Sequence, residues 1–277
     1  MNTPYDKLLN NGYLVIRNVL TTSILERLRT ITARLADAQN RAEPSAFRAQ
    51  GSMVRTQEDP IFAELITWER SLSILRGLGF THPTFTDGYV ISKPPDSPRL
   101  FWHYDWFSWD APGAFDPEPQ QLFLMYYLTN THRENGCLRL IPGSHTTHNP
   151  LHDLLGEPHS TRLSNPDDLL AHEFIDRPDE IDVPVSAGDL VMGDARILHA
   201  AHANKSCDRR TVITLWYQPT FETLPDSVKA QMVHKTQAIP SWWPPDSRTL
   251  VEAMQPRYLG DVEPCHRSLY HRPYNDL

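Results

Sequence analysis

The sequence predicts a mainly β fold, a barrel or a sandwich, with helices flanking it. Three observations lead to this class. Beyond residue 82, short β-rich runs alternate with turns that contain Gly and Pro. Before residue 80, apolar residues recur at helical spacing. The 24 prolines of the 277-residue chain gather in loops and in the C-terminal part, where they fix φ and interrupt helices.

Taken in order, residues 5–20 read as a short helix, an Asn-Asn-Gly turn and a strand from Tyr13 to Ile16. Thr21-Thr22-Ser23 offers an N-cap, and Glu26 stands three residues after Ser23, the spacing of a capping box. Ile24, Leu25, Leu28, Ile31 and Leu35 then predict a helix to about residue 37. Residues 38–52 are polar and predict a loop. A second helix is expected from Pro60 to Leu78, burying Ile61, Leu65, Ile66 and Leu72 or Leu75. The strand candidates are Gly88–Ile91, Leu100–Asp105, Gln121–Leu128, Cys137–Ile141, Glu180–Val185, Asp189–Gly193 and Arg210–Gln218. Leu190 to His199, opened by the turn Ala187-Gly188-Asp189, reads as one strand able to carry His199 inward. Two long connections, the aromatic and Pro-rich 106–120 and the polar, His-rich 143–179, have the character of functional lids. Beyond residue 223 the pattern predicts one helix, about 225–235, then an irregular end.

Bulk properties exclude several classes. Hydrophobic residues make up 40% of the chain and charged residues 22%, which is ordinary for a globular protein. A net charge of −8 argues against general nucleic-acid or anionic-membrane binding. Three cysteines, Cys137, Cys207 and Cys265, without C-x-x-C spacing argue against a disulfide scaffold and for a reducing compartment. No secretory signal and no membrane-length apolar run is visible, so a cytoplasmic location is expected.

The chemistry concentrates in Trp102-His103-Tyr104-Asp105, in the distant His199, and in Arg210, eleven residues on (210 − 199). An H-x-D pair plus a later histidine is the two-histidine, one-carboxylate ligand set of non-haem Fe(II) oxygenases. On a strand, His103 and Asp105 share a face, so both side chains aim at one point. A basic residue nearby suits a co-substrate carboxylate, since guanidinium and carboxylate form a bidentate, charge-assisted pair. Arg209 competes for that role. The spacing from His199 and the alternation with Val212 and Thr214 favour Arg210 and turn Arg209 outward.

Four segments resemble the phytanoyl-CoA dioxygenase-like family of Fe(II)/2-oxoglutarate oxygenases. They are the opening NNGYLVIRNVL; Ile91-Ser92-Lys93-Pro94-Pro95 with Trp102-His103-Tyr104-Asp105; the E-N-G-x-L-x-x-x-P-G-S-H signature from Glu134 to His145; and Gly188-Asp189 through His199, Asn204, Ser206 and Arg210. The resemblance spans about residues 8–218. It implies a double-stranded β-helix (jelly roll) within a single oxygenase domain over 1–277. That domain would comprise an N-terminal helical part (about 1–80), a core (about 82–220) and a C-terminal extension (about 221–277). It implies that His103, Asp105 and His199 bind Fe(II) and that Arg210 pairs with the distal carboxylate of 2-oxoglutarate. O₂ would be the second co-substrate, and an unactivated C–H of a small molecule would be hydroxylated. Asp105 argues against halogenation, because halogenating relatives lack this carboxylate.

The chain also departs from the family pattern. Ala201 stands where many members carry a Ser that helps hold 2-oxoglutarate, and Met125 where many carry Trp. Tyr89 and Met125 fall at positions that contact the co-substrate, and Tyr127 shares the face of Met125. Lys93 reads as structural or superficial. His202 is a neighbour of the site or a rival of His199. Trp106 and Arg139 are candidate substrate contacts, Arg139 as an anchor for an anion. His145, His148 and His152 read as surface histidines of a polar loop. Two other readings stay open: a cupin-like metalloenzyme without 2-oxoglutarate, and a non-catalytic binding protein with a retained site.

Overall fold

The computed structural model describes residues 3–39, 48–158 and 160–271. Helix α1 (Pro4–Asn11) opens on a capping box between Thr3 and Asp6 and ends at Gly12 in the left-handed region. Strand β1 (Tyr13–Ile16) and helix α2 (Thr22–Ala38) follow. The capping box expected at Ser23 and Glu26 does not form. Thr21 has the extended backbone an N-cap requires, and its hydroxyl accepts from the Ile24 N–H at 3.5 Å. Ser23 therefore already lies in the first turn, and Glu26 pairs with Arg29 instead. Of the loop expected over 38–52, residues 40–47 lie outside the described residues.

After β2 (Val54–Arg55), the single helix expected over 60–78 is two: α3 (Ile61–Ile66) and α4 (Glu69–Gly77). The break has a local cause. The Thr67 hydroxyl bonds back to the Ala63 carbonyl at 2.8 Å, and the Trp68 indole N–H reaches the Val19 carbonyl at 3.0 Å with Trp68 in an extended conformation.

The remaining strands are β3 (Thr84–Lys93), β4 (Leu100–His103), β5 (Leu122–Tyr127), β6 (Leu138–Leu140), β7 (Ile181–Val183), β8 (Leu190–Asp194), β9 (His199–Ala201) and β10 (Arg210–Gln218). They form two antiparallel sheets, ordered β1-β8-β5-β10-β3-β2 and β4-β9-β6-β7. This is the jelly roll that the family resemblance implied. Along β10, Ile213 and Leu215 face the helices with Leu124, Tyr126, Leu190 and Met192, while Val212 faces inward with Met125, Tyr127, Leu138 and Val191. The period-2 alternation thus sorts one strand into a helix-covered outer layer and an inner layer shared by both sheets.

One expected strand is divided. Leu190 to His199 is not continuous: β8 lies in the larger sheet and β9 in the smaller, and residues 195–198 cross between them. Arg196 pins this corner. It is buried, pairs with Asp194 at 2.6 Å, and donates to the Ala114 and Asp116 carbonyls at 3.0 and 2.5 Å. At the start of β8, Gly188 has φ +92°, and Asp189 accepts from the Asn18 and Ser186 N–H groups and from Arg17.

Neither long connection is structureless. Residues 106–120 bury Trp106, Phe107, Trp109, Ala111 and Ala114 in an apolar cluster shared with Leu151, Leu198, Val228 and Met232. Residues 143–179 hold a 3₁₀ turn (His152–Leu154) and helix α5 (Thr161–Ser164). Helix α6 (Asp226–Lys235) matches expectation, but the end is not irregular throughout, since α7 (Pro245–Glu252) follows with Pro at its start. Among the described residues, no helix is long and apolar enough to cross a membrane.

Candidate metal centre and co-substrate pocket

His103 ends β4 and His199 begins β9, and the two are register partners across these antiparallel strands. Their rings sit 4.1 Å apart, centroid to centroid. Asp105 lies just past the end of β4, where its N–H donates to the Ala195 carbonyl at 2.7 Å. One Asp105 carboxylate oxygen is 3.6 Å from His103 Nε2 and 3.9 Å from His199 Nε2. All three donor atoms lie within 4.8 Å of one another.

The two imidazoles are oriented in the same way. His103 Nδ1 bonds the Phe101 carbonyl and His199 Nδ1 bonds the Ile197 carbonyl, each at 3.0 Å. A carbonyl only accepts, so each Nδ1 carries the proton and each Nε2 keeps its lone pair for the common point. The other Asp105 oxygen accepts from the Trp216 indole N–H at 2.9 Å, which fixes the carboxylate plane. A metal bonding each donor at about 2.1 Å would draw them only slightly closer. The donor set and its geometry fit a divalent iron with open positions on the far side.

These residues open onto a cavity of about 500 Å³ between the sheets. Arg210, Val212, Thr214 and Trp216 line it from alternate positions of β10, so Arg210 and the Trp216–Asp105 contact mark its two ends. Arg210 is buried, its Nε has no hydrogen-bond partner, and among the described residues no carboxylate pairs with it. Burial lowers its pKa, with only Tyr127 and Cys137 nearby to oppose this. Tyr89, Met125, Tyr127 and Ala201 line the same cavity. Thr214 Oγ1 is buried there without a partner.

Other expected residues lie elsewhere. Trp106 is not a cavity residue; it is buried against Phe107, and its indole N–H bonds the Ser108 carbonyl at 2.7 Å. Among the described residues that line the cavity, none belongs to 106–120. Arg139 faces neither cavity nor solvent. It lies 4.7 Å over the Trp102 ring and pairs with Glu180 at 2.5 Å and Asp176 at 3.1 Å, because the segment before β7 covers that face of β6. Arg209 does point outward, to Asp37. Lys93 is fully buried and donates to the Ala49 and Pro98 carbonyls, a structural role.

His145 and His152 are buried, contrary to the surface reading. His145 bonds the Leu9 carbonyl, and His152 stacks on Tyr270 at 4.0 Å. His202 does not join His199. It bonds Asp182 at 2.5 Å, and with Cys137 the pair forms a second trio of metal-type side chains.

A family model described as phytanoyl-CoA dioxygenase (PhyH) matches residues 8–212. The chain belongs to this family. The ectoine dioxygenase of Halomonas elongata is 28% identical over 221 residues, covering 74% of this chain and 66% of its own length. The chain spans 66% or less of the length of the curated relatives it matches. Two solved structures share the fold. The α-ketoglutarate-dependent epimerase SnoN of nogalamycin biosynthesis has a TM-score of 0.57 at 20% identity, covering 77% of this chain and 80% of that one. EctD from S. alaskensis, with 2-oxoglutarate and 5-hydroxyectoine, has a TM-score of 0.57 at 16% identity, covering 80% and 77%.

The PhyH signature residues act on the site through the backbone. Ser144 Oγ donates to the Ile141 carbonyl at 2.7 Å and accepts the Leu198 N–H at 2.9 Å, which seats the residue before His199. Gly136 has φ +88°, and a Cβ there would stand 3.1 Å from the His202 carbonyl. Asn204 donates to the carbonyls of Lys93, Pro94 and Asp208, tying the turn before Arg210 to the end of β3. Thr214 was foreseen only as sharing the face of Arg210, and Trp216, Asp87 and Lys235 were not foreseen as cavity residues. The same alternation carried one step further reaches Trp216; the irregular register of β3 at Asp87 and the C-terminal docking that brings Lys235 left no local signal.

Proposed function

We propose that this chain works as one Fe(II)/2-oxoglutarate-dependent dioxygenase domain that hydroxylates an unactivated C–H of a small molecule. One observation carries the reading. A two-histidine, one-carboxylate trio and a buried arginine without an acidic partner open onto the same cavity. A guanidinium kept from water needs an anion, and a dicarboxylate reaching the metal would supply one. Similarity to an ectoine dioxygenase and to a 2-oxoglutarate-bound EctD supports the same assignment.

In this reading His103 and His199 offer Nε2 and Asp105 a carboxylate oxygen to iron, and Arg210 takes the distal carboxylate of 2-oxoglutarate. Iron held there with 2-oxoglutarate and O₂ would supply the oxidising power to attack an unactivated C–H, with succinate and CO₂ as co-products. Ile91, Leu138, Ala201 and Val212 give the pocket apolar walls that exclude water, while Tyr89 and Met125 flank Thr214 on the neighbouring strands. The free cysteines fit a reducing compartment such as the cytoplasm, where Fe(II) persists.

The test is succinate formation from 2-oxoglutarate with and without Fe(II). Iron-dependent succinate is expected. Succinate that persists in His103→Ala, or without iron, overturns the reading.

A further inference from the structure

The mouth of the cavity carries charges that neither metal nor co-substrate uses. The register of β3 against β10 slips there: Trp216 faces Asp87, but Tyr217 faces Phe85. Thr86 is thereby the extra residue of a β-bulge, and both Thr86 and Asp87 line the cavity, which consecutive residues of a regular strand cannot do. Among the described residues lining the cavity, Asp87 is the one carboxylate besides Asp105. It accepts from the Gly88 N–H at 2.7 Å and from the Gln237 side-chain amide, which also reaches the Tyr89 hydroxyl at 3.3 Å. Gln237 is held in turn by the Thr86 carbonyl at 3.3 Å and by Gln255 at 2.9 Å. Burial pushes the Asp87 carboxyl up to about 6, against the pull of the Gly88 and Gln237 hydrogen bonds and of the Lys235 and Arg55 charges.

Opposite charge stands nearby. Arg55 and Lys235 line the same cavity, and among the described residues neither forms an ion pair. Both residues are exposed, and Lys235 lies 4.3 Å over the Phe107 ring, with partial desolvation lowering its pKa. Arg267 also lines the cavity but is taken by Glu157. Lys235, Gln237 and Arg267 all follow residue 212, where the family match ends.

We propose that Asp87, held by Gln237 and Tyr89, forms with Lys235 and Arg55 a two-signed substrate subsite that takes a small zwitterion. Its protonated nitrogen meets Asp87, and its carboxylate meets Lys235 and Arg55. This rests on the oxygenase reading above, in which Asp105 and Arg210 are already committed. A simple cation would pair with Asp87 but face two cations. A simple anion would draw Lys235 and Arg55 away from Asp87 and leave it facing the pocket with only its Gly88 and Gln237 hydrogen bonds. A zwitterion satisfies both, and a cavity of about 500 Å³ that also holds 2-oxoglutarate keeps it small. Specificity then resides in the bulge and in the C-terminal segment.

The experiment is calorimetric titration of the Fe(II)- and 2-oxoglutarate-loaded protein under anaerobic conditions. The probes are two cyclic zwitterions, ectoine and proline, and two singly charged analogues, cyclopentanecarboxylate and pyrrolidine. At least one zwitterion is expected to bind about tenfold or more tightly than both analogues. Asp87→Asn should lose that margin while leaving the affinities for 2-oxoglutarate and cyclopentanecarboxylate unchanged, and Lys235→Met should lose it while sparing pyrrolidine. An analogue that binds as tightly as the zwitterions, or binding of 2-oxoglutarate without either zwitterion, overturns the proposal. Failure of 2-oxoglutarate itself to bind overturns the oxygenase reading and the proposal with it.

Discussion

Two trios in this molecule look alike by composition and differ in kind. His103, Asp105 and His199 meet between the sheets; Cys137, Asp182 and His202 meet on the smaller sheet and the turn around Gly136. In the first, both imidazoles spend Nδ1 on a backbone carbonyl, so both Nε2 atoms turn toward one Asp105 oxygen, at 3.6 and 3.9 Å. In the second, His202 spends Nε2 on Asp182, which also pairs with Arg133 at 3.1 Å. The Cys137 thiol is pushed up to about 11 by burial and by Asp182, so it stays protonated at neutral pH, whereas a metal needs the thiolate. Proximity of ligand types therefore does not make a metal site. What counts is whether the donor atoms turn to a common point or are spent on each other, and a related contrast separates Arg210, which has no acidic partner among the described residues, from Arg139, which has two.

The contrast predicts its largest effect in metal content. His103→Ala or His199→Ala should abolish iron binding and turnover, exceeding the about 10- to 100-fold that changes around a metal ligand cost. His202→Ala should keep its iron. Metal analysis of the purified variants checks both, and iron loss in His202→Ala would erase the distinction.

The two buried arginines come next. Arg139→Met strands Glu180 without its cation and should cost about 3–5 kcal/mol of unfolding free energy. The 2-oxoglutarate requirement of that variant should not change. Arg210→Met removes a buried, unpaired charge, so stability should hold or rise. Its 2-oxoglutarate affinity should fall by about 1.5–3 kcal/mol, roughly 10- to 100-fold. Denaturant midpoints and 2-oxoglutarate titrations of both variants measure the reversal.

A smaller effect sharpens the first trio. Trp216→Phe removes one hydrogen bond from Asp105 and should weaken iron binding about tenfold with the fold intact. Unchanged iron affinity would mean the backbone alone holds the carboxylate.

The smallest effect belongs to the second trio and to acid. Burial lowers the His202 pKa below 6.5 although Asp182 opposes this. For Asp182, burial raises the pKa, but His202 and Arg133 outweigh it and leave it below 3.8. Each group binds its proton more readily unfolded than folded, so each contribution is complete above the unfolded value and lost as pH falls. Stability should decline as pH drops below about 6.5 and again below about 4. Urea midpoints from pH 7.5 to 5 should fall less in His202→Gln than in the parent.

Much of this was legible in the chain. That His103, Asp105 and His199 gather was expected from ligand type, spacing and the family resemblance, and that Arg210 turns inward from strand alternation; the structure brings the trio together and lines the cavity with Arg210. Alternation also sorts Val212 from Ile213 correctly. Trp106 and Arg139 misled for a shared reason. Each was placed by its own strand or loop, but what covers a residue belongs to another part of the chain: the Ile175–Glu180 segment over Arg139, and the α6 residues packed with the 106–120 cluster around Trp106. The break at Thr67-Trp68 was hidden in the same way, since Val19 supplies its acceptor.

The sequence by itself determined the ligand types, the period-2 faces of the strands and the turn residues at Gly136 and Gly188. These are local properties, set by side-chain chemistry and backbone sterics within a few residues. Only the tertiary structure decided that Leu190–His199 divides between two sheets, that one trio turns its donors to a common point while the other bonds them to each other, and that Asp87 and Lys235 line one cavity. Those outcomes depend on which distant groups share a desolvated space, because a buried polar group takes its character from the partners that folding brings to it.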